Sequence, residues 1–233
     1  MIVALAVALL AAPAPPARML WNWYGNAMTA SLPPDVGVAH IVASISLHKV
    51  EDARPMLRRD PVRFPPGAYR MAVVRVEHYE AAFTGKQRAQ TAQMIAEAVE
   101  LTRSRAVQID FDAPQRAWPF YRSLISDVRR RIGPGVFLSM TALASWCTAN
   151  SWLRGVEADE IVPMFFQMQF RGVGIKEELR DGKLPALERC RASAGVALDE
   201  PVPGLRAQRI YMFTSYNGWS EGDVREALTR YKK

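Results

Sequence analysis

Residues 106–114 read AVQIDFDAP, an apolar run that ends in two aspartates one residue apart. Side chains of a β-strand alternate, so Asp110 and Asp112 share one face while Val107, Ile109 and Phe111 share the other. Like charges so close repel each other, and one carboxyl pKa rises. That is costly in a core and useful in a site. The stretch predicts a strand that is apolar on one side and acidic on the other, with its acids at the carboxyl end.

Seven more runs have the punctuation of strands, near 19–24, 38–47, 70–78, 136–143, 161–169, 195–199 and 209–215. Helical spacing appears between them. Residues 86–104 repeat Ala89, Ala92, Ile95, Ala96 and Val99, and residues 117–131 place Trp118, Tyr121, Leu124, Ile125 and Val128 on one face before a Gly-Pro-Gly stop. Residues 220–231 open on Ser220 as N-cap and carry Val224, Ala227, Leu228 and Tyr231 as their stripe. Alternating strands and helices argue for parallel strands with crossover helices. Eight of them in about 215 residues predict an α/β fold, a small (β/α)8 TIM barrel. An open doubly wound sheet is the alternative, but no glycine-rich phosphate turn follows the first strand. The first two connections, 25–37 and 48–68, hold Pro-Pro pairs and little helical period, so they read as irregular loops.

In a barrel, one face of every strand meets the helices and the other fills the interior. The sets assigned to the helix side are apolar: Ile41, Ala43, Ile45; Val74, Val76; Val107, Ile109, Phe111; Met140, Ala142; Met164, Phe166, Met168. Trp21 has the same outward parity. The opposite sets are polar: Asn22; Ser44, Ser46, His48; Arg75, Glu77; Gln108, Asp110, Asp112; Ser139, Thr141; Gln167, Gln169; Asp199; Ser215. Polarity therefore gathers inside and toward the carboxyl ends of the strands, where barrel enzymes keep their sites.

Composition bounds the rest. With 49% hydrophobic and 23% charged residues in 233, the chain is of ordinary globular type. Residues 2–12, IVALAVALLAA, followed by PAPPA, are too short to span a bilayer and suit the core of an export signal, so residues 1–17 are set apart as a leader and 18–233 as one barrel domain. No charged residue precedes the run. An exported location, periplasm or cell envelope, follows from that reading, with no stable membrane span in the mature chain. The net charge of +7 is spread over helical segments without interleaved aromatics, which argues against nucleic acid. Cys147 and Cys190 fit no metal motif and are either a disulfide or two buried thiols. His40, His48 and His78 lack paired zinc spacing, so neither a metal nor an organic cofactor is expected. A hydrolytic metal held by Asp110, Asp112 and His48 is the weaker alternative.

The carboxylates suggest chemistry. Asp112 falls at the mouth of the fourth predicted strand, Glu77 at the third, and Asp199 with Glu200 at the seventh. Glycoside cleavage needs one protonated carboxyl to serve the leaving oxygen and one ionised carboxylate to attack or to activate water. Asp112 is assigned as acid and Glu200 as its partner, with Glu77 the rival. Asp110 would raise the pKa of Asp112, or be neutralised by Arg75 in a structural ion network. Trp23, Tyr24, Trp146, Tyr216 and Trp219 fall at or beyond strand ends and suit stacking on sugar rings, while Asn22, Gln167, Gln169 and Asn217 offer hydroxyl partners and Asp199 lines the rim. The expected function is an exported glycoside-hydrolase-like barrel acting on a polysaccharide or oligosaccharide; the alternative is a non-catalytic carbohydrate-binding or envelope protein on a degenerate barrel.

Five motifs in order, VQIDFDAP with FYRSLISDVRRRI, LSMTALASWC, ADEIVPMFFQMQ, GVALDEP and YMFTSYNGWSEGDV, resemble the DUF3142 family of bacterial proteins. The resemblance implies a glycoside-hydrolase-like barrel and export, and brings no reaction with it. The fourth strand is also similar to the DxxDxDxE pattern of chitinase-type barrels. Asp110 and Asp112 match two of its aspartates, but Ala113 and Pro114 stand where the pattern runs on to its catalytic glutamate.

Overall fold

The computed structural model describes residues 12–23, 32–57, 64, 66–168, 172–202, 204–214 and 218–231. Nine strands lie in these segments: β1 (Arg18–Asn22), β2 (Val36–His48), β3 (Arg54–Leu57), β4 (Tyr69–Tyr79), β5 (Ala106–Asp110), β6 (Phe137–Leu143), β7 (Glu160–Met164), β8 (Ser193–Ala197) and β9 (Arg209–Phe213). Four α-helices accompany them: α1 (Gly85–Thr102), α2 (Trp118–Ile132), α3 (Gly172–Arg180) and α4 (Glu221–Arg230). Every strand except β3 is parallel to its neighbours, and β1 pairs with both β2 and β9, which closes the ring. The fold is the small (β/α)8 barrel that the alternation predicts.

The strand β3 was not anticipated. It lies in the segment expected to be a loop and pairs antiparallel with Ala43–Ser46 of β2, after β2 has parted from β1. The helix α3, nine residues in the connection between β7 and β8, was also missed. The three anticipated helices stand within two residues of their expected ends. In α1, Thr84 accepts from the Gln87 amide and Gln87 reaches back to the Thr84 amide, a capping box, and Arg103 ends the helix in the left-handed region at φ 50°. Ser220 caps α4 in the same way with Asp223.

The apolar faces of α1 and α2 bury Ile95, Val99, Leu124, Ile125 and Val128 against Ile45, Val74, Val76, Val107, Ile109 and Met140 of the ring. Each such aliphatic side chain contributes about 1.5–3 kcal/mol relative to exposure. A second outer cluster joins Leu20, Val196 and Met212 to Val224 and Ala227 of α4.

Five facings need correction, those of Trp21, Asn22, Ile41, Met164 and Phe166. Trp21 points into the barrel, with Met19, Met71, Val73, Val162, Tyr211 and Phe213; its indole N–H donates to Gln108 Oε1 at 2.8 Å, and its ring stacks on Phe213 at 4.8 Å. Asn22, expected inside, is fully buried on the opposite face of β1. Ile41 is also interior, because β2 slips register between Ile41 and Ala43, and one extra residue reverses the faces of everything before it. On β7 the expected strand runs too far. The extended run stops at Met164, Gln167 turns with φ 52°, and Glu160, Val162 and Met164 form the inward set. Phe166, expected to face the helices, packs on the interior cluster instead.

Candidate active site at the barrel mouth

The pairing of β4 with β5 sets Arg75 beside Asp110, and strand alternation puts Glu77 on the same inward face. Arg75 Nη1 lies 3.6 Å from Asp110 Oδ2, and Arg75 Nε lies 3.3 Å from Glu77 Oε1. From β6, Thr141 donates its hydroxyl to Asp110 Oδ1 at 2.8 Å. The Arg75 guanidinium also lies over the ring of Trp23, 4.9 Å from its centroid, just past the end of β1. Ser44 and Ser46 of β2 stand in register with Arg75 and Glu77. Asp112, two residues beyond Asp110, has a solvent-exposed face.

The carboxyls differ in their hold on a proton. Burial, reinforced by the charge of Asp112, pushes the Asp110 carboxyl up to about 6, although Arg75 and Thr141 oppose it. The surrounding protein also raises the Asp112 carboxyl above the usual range, with Arg75 and His78 opposing. Two acids that feel each other titrate as a pair.

The favoured partner, Glu200, is placed differently. It leaves β8 for a loop, where it is ion-paired with Lys176 of α3 and accepts from the Gln167 amide at 2.7 Å. Partial burial works to raise its pKa, but these two bonds prevail and hold it below the usual carboxylate range. Gln167 and Asp199 are exposed on the loops after β7 and β8. Trp146 is buried among Trp118 and Trp152 on the helix side. Trp219 is buried in the outer cluster and donates to the Trp21 carbonyl at 2.9 Å. Of the expected aromatics, Trp23 alone among the described residues belongs to the mouth. Tyr24, Gln169, Ser215, Tyr216 and Asn217 lie outside the described residues.

A polar chain that the sequence reading missed runs beneath the mouth. Trp21 bonds Gln108, Gln108 bonds Ser139 at 3.0 Å, and Ser139 donates to Glu160 Oε2 at 2.8 Å. Tyr211 donates to the same oxygen at 2.6 Å, while Ser193 and Arg209 hold Oε1. Glu160 precedes the strand bounds read from the sequence, so its inward parity with Val162 went unused. His48 stacks on Tyr79 at 4.8 Å, and among the described residues no three His, Cys, Asp or Glu side chains are grouped to hold a metal.

No model of a known family matches the chain, and no curated protein matches it in sequence. Its fold is similar to that of solved chitinases. A GH18 chitinase from Pseudoalteromonas aurantia superposes with a TM-score of 0.59 at 12% identity, covering 91% of this chain and 99% of that one. A family GH18 chitinase from Chromobacterium violaceum does so with 0.53 at 12% identity, covering 90% and 81%. The likeness is one of architecture, that of a closed (β/α)8 barrel.

Proposed function

We propose that this protein is an exported glycoside hydrolase that acts on a polysaccharide or oligosaccharide, with Asp112 as proton donor and Glu77 as the ionised partner. The observation that carries the reading is the pair of aspartates at the carboxyl end of β5 in a closed barrel, with Arg75 joining Asp110 to Glu77 and lying over the ring of Trp23. The role for Glu77 rests on Arg75, whose guanidinium touches both Glu77 and Asp110 and draws the two side chains to one side of the mouth. Glu200 serves here to hold the loop after β7 through Lys176 and the Gln167 amide. Trp23, with Phe166 and Phe213 behind it, supplies the flat apolar surface on which a sugar ring stacks. The chitinase likeness supports a glycan substrate, and chitin is the first to try.

Export is supported by the disulfide between Cys147 and Cys190, a bond that persists in oxidising compartments. Among the described residues no helix is long and apolar enough to cross a membrane. Kinship with the DUF3142 proteins is part of the same proposal and rests on the five sequence motifs.

The test is purified protein against a polysaccharide panel, with Asp112→Asn, Glu77→Gln and Glu200→Gln alongside. Asp112→Asn is expected to cost at least about 100-fold in turnover, the scale of general-acid catalysis. Glu77→Gln should cost a similar factor and Glu200→Gln only a few-fold. The second reading, a glycan binder without chemistry, draws on the same Arg75 contacts, since an ion network also satisfies Glu77 and Asp110. A wild type that retains a polysaccharide on affinity gels but releases no sugar would establish the binder and sink the hydrolase.

A further inference from the structure

The opposite end of the barrel carries a feature independent of the mouth. Arg209, the first residue of β9, turns its guanidinium to the buried Glu160 carboxylate. Other donors of the fork reach backbone ahead of β1: Nη2 bonds the Pro15 carbonyl at 2.7 Å, and Nε lies 3.0 Å from that carbonyl and 2.9 Å from that of Pro16. Pro15 is itself buried. The Tyr69 hydroxyl donates to the Pro13 carbonyl at 2.9 Å, and the Ala17 carbonyl accepts from the Ile210 amide at 2.9 Å. Ala14 lies on a pocket of about 250 Å³ that it shares with Glu160, Ser193 and Arg209.

These contacts have a physical logic. An arginine stays charged at any relevant pH, and its planar fork of five donors must be satisfied when half-buried. Glu160 uses one side of the fork, and the proline carbonyls use the other. Proline lacks an N–H to satisfy, so two in succession present carbonyls without bringing donors that would also need partners. The leader boundary drawn from sequence, after Ala17, would cut these carbonyls away, exposing the Arg209 fork and opening the Glu160 network to water.

We propose that Pro15 and Pro16 are a plug belonging to the folded domain, and that any export leader is removed upstream of Pro15. The plug closes the amino-terminal end of the barrel and anchors Arg209 on Glu160.

Two measurements test it. Intact mass of the protein recovered after export reads the mature amino terminus: a start at or before Pro15 is expected, and a start at Pro16 or later overturns the proposal. Thermal melting then compares a chain that begins at residue 12, which holds every described residue, with one that begins at Arg18. The shorter chain should melt at least about 5 °C lower; equal melting temperatures overturn the plug. Should the shorter chain not fold, Arg209→Lys in the longer chain carries the comparison, since lysine keeps a charge for Glu160 but lacks the fork for the carbonyls. A drop of about 3 °C or more is expected there, and unchanged melting refutes the anchoring role.

Discussion

Asp110 is an acid stored at a cost. The residue is buried, its carboxyl faces Arg75 at 3.6 Å and takes a hydroxyl hydrogen bond from Thr141, yet burial pushes its pKa up to about 6 from an ordinary 3.8. The folded state therefore binds the proton more tightly than the unfolded chain. The stability from this group is complete below about pH 4 and is lost as pH rises through about 6. Asp110→Asn removes the penalty and keeps an oxygen for Thr141. Melting curves should show the variant level with wild type near pH 4 and about 5 °C or more above it at pH 8; a variant less stable at pH 8 would mean that the Arg75 ion pair outweighs burial. Such an ill-placed charge is what a functional site retains and a purely structural position sheds.

At the scale of elements, ends and registers were set by single local devices. The capping box of Thr84 and Gln87 fixes where α1 begins, and Gln87 extends that role by donating to the carbonyls of Lys49 and Glu51 at 3.1 and 3.0 Å, tying the turn after β2 to the helix. Thr84→Ala should cost about 1 kcal/mol, read by denaturant unfolding at constant m-value. Helix stripes on α1 and α2 were legible because Ile95, Val99, Leu124 and Val128 repeat at 3.6 residues. The faces of β2 and β7 were less so. An extra residue after Ile41 shifts the two-residue period of β2, and on β7 the inward parity runs through Glu160, Val162 and Phe166, opposite to the expected one; neither Val42 nor Glu160 announces itself in composition.

For the whole molecule, closure depends on β1, which pairs on both sides and carries Trp21 into the interior. The disulfide Cys147–Cys190 ties the segment after β6 to the turn before β8 across 43 residues. In the chain-entropy view a loop of that length is worth about 4 kcal/mol. A thiol reductant should lower the melting temperature by roughly 10 °C, and Cys147→Ser with Cys190→Ser should reproduce the drop without added reductant. Melting that ignores both treatments would place the bond outside the cooperative unit. The mouth and the base are built from separate strand ends, so changes at Glu77 or Asp112 and changes at Arg209 should add in stability.

The sequence alone determined the count and direction of the ring strands, the three longer helices, and the acidic end of AVQIDFDAP, because these are written in periods of 2.0 and 3.6 residues that short-range sterics impose. It also marked Asp110, Asp112, Glu77 and Trp23 as neighbours in kind. Which acids stand free was decided by tertiary structure. Lys176 comes from a helix 24 residues before Glu200, Arg75 reaches Asp110 across 35 positions, and Glu160 finds its four partners on three other strands. Ion pairs and buried hydrogen bonds depend on angstrom distances between remote chain segments, and only closure of the barrel sets those distances.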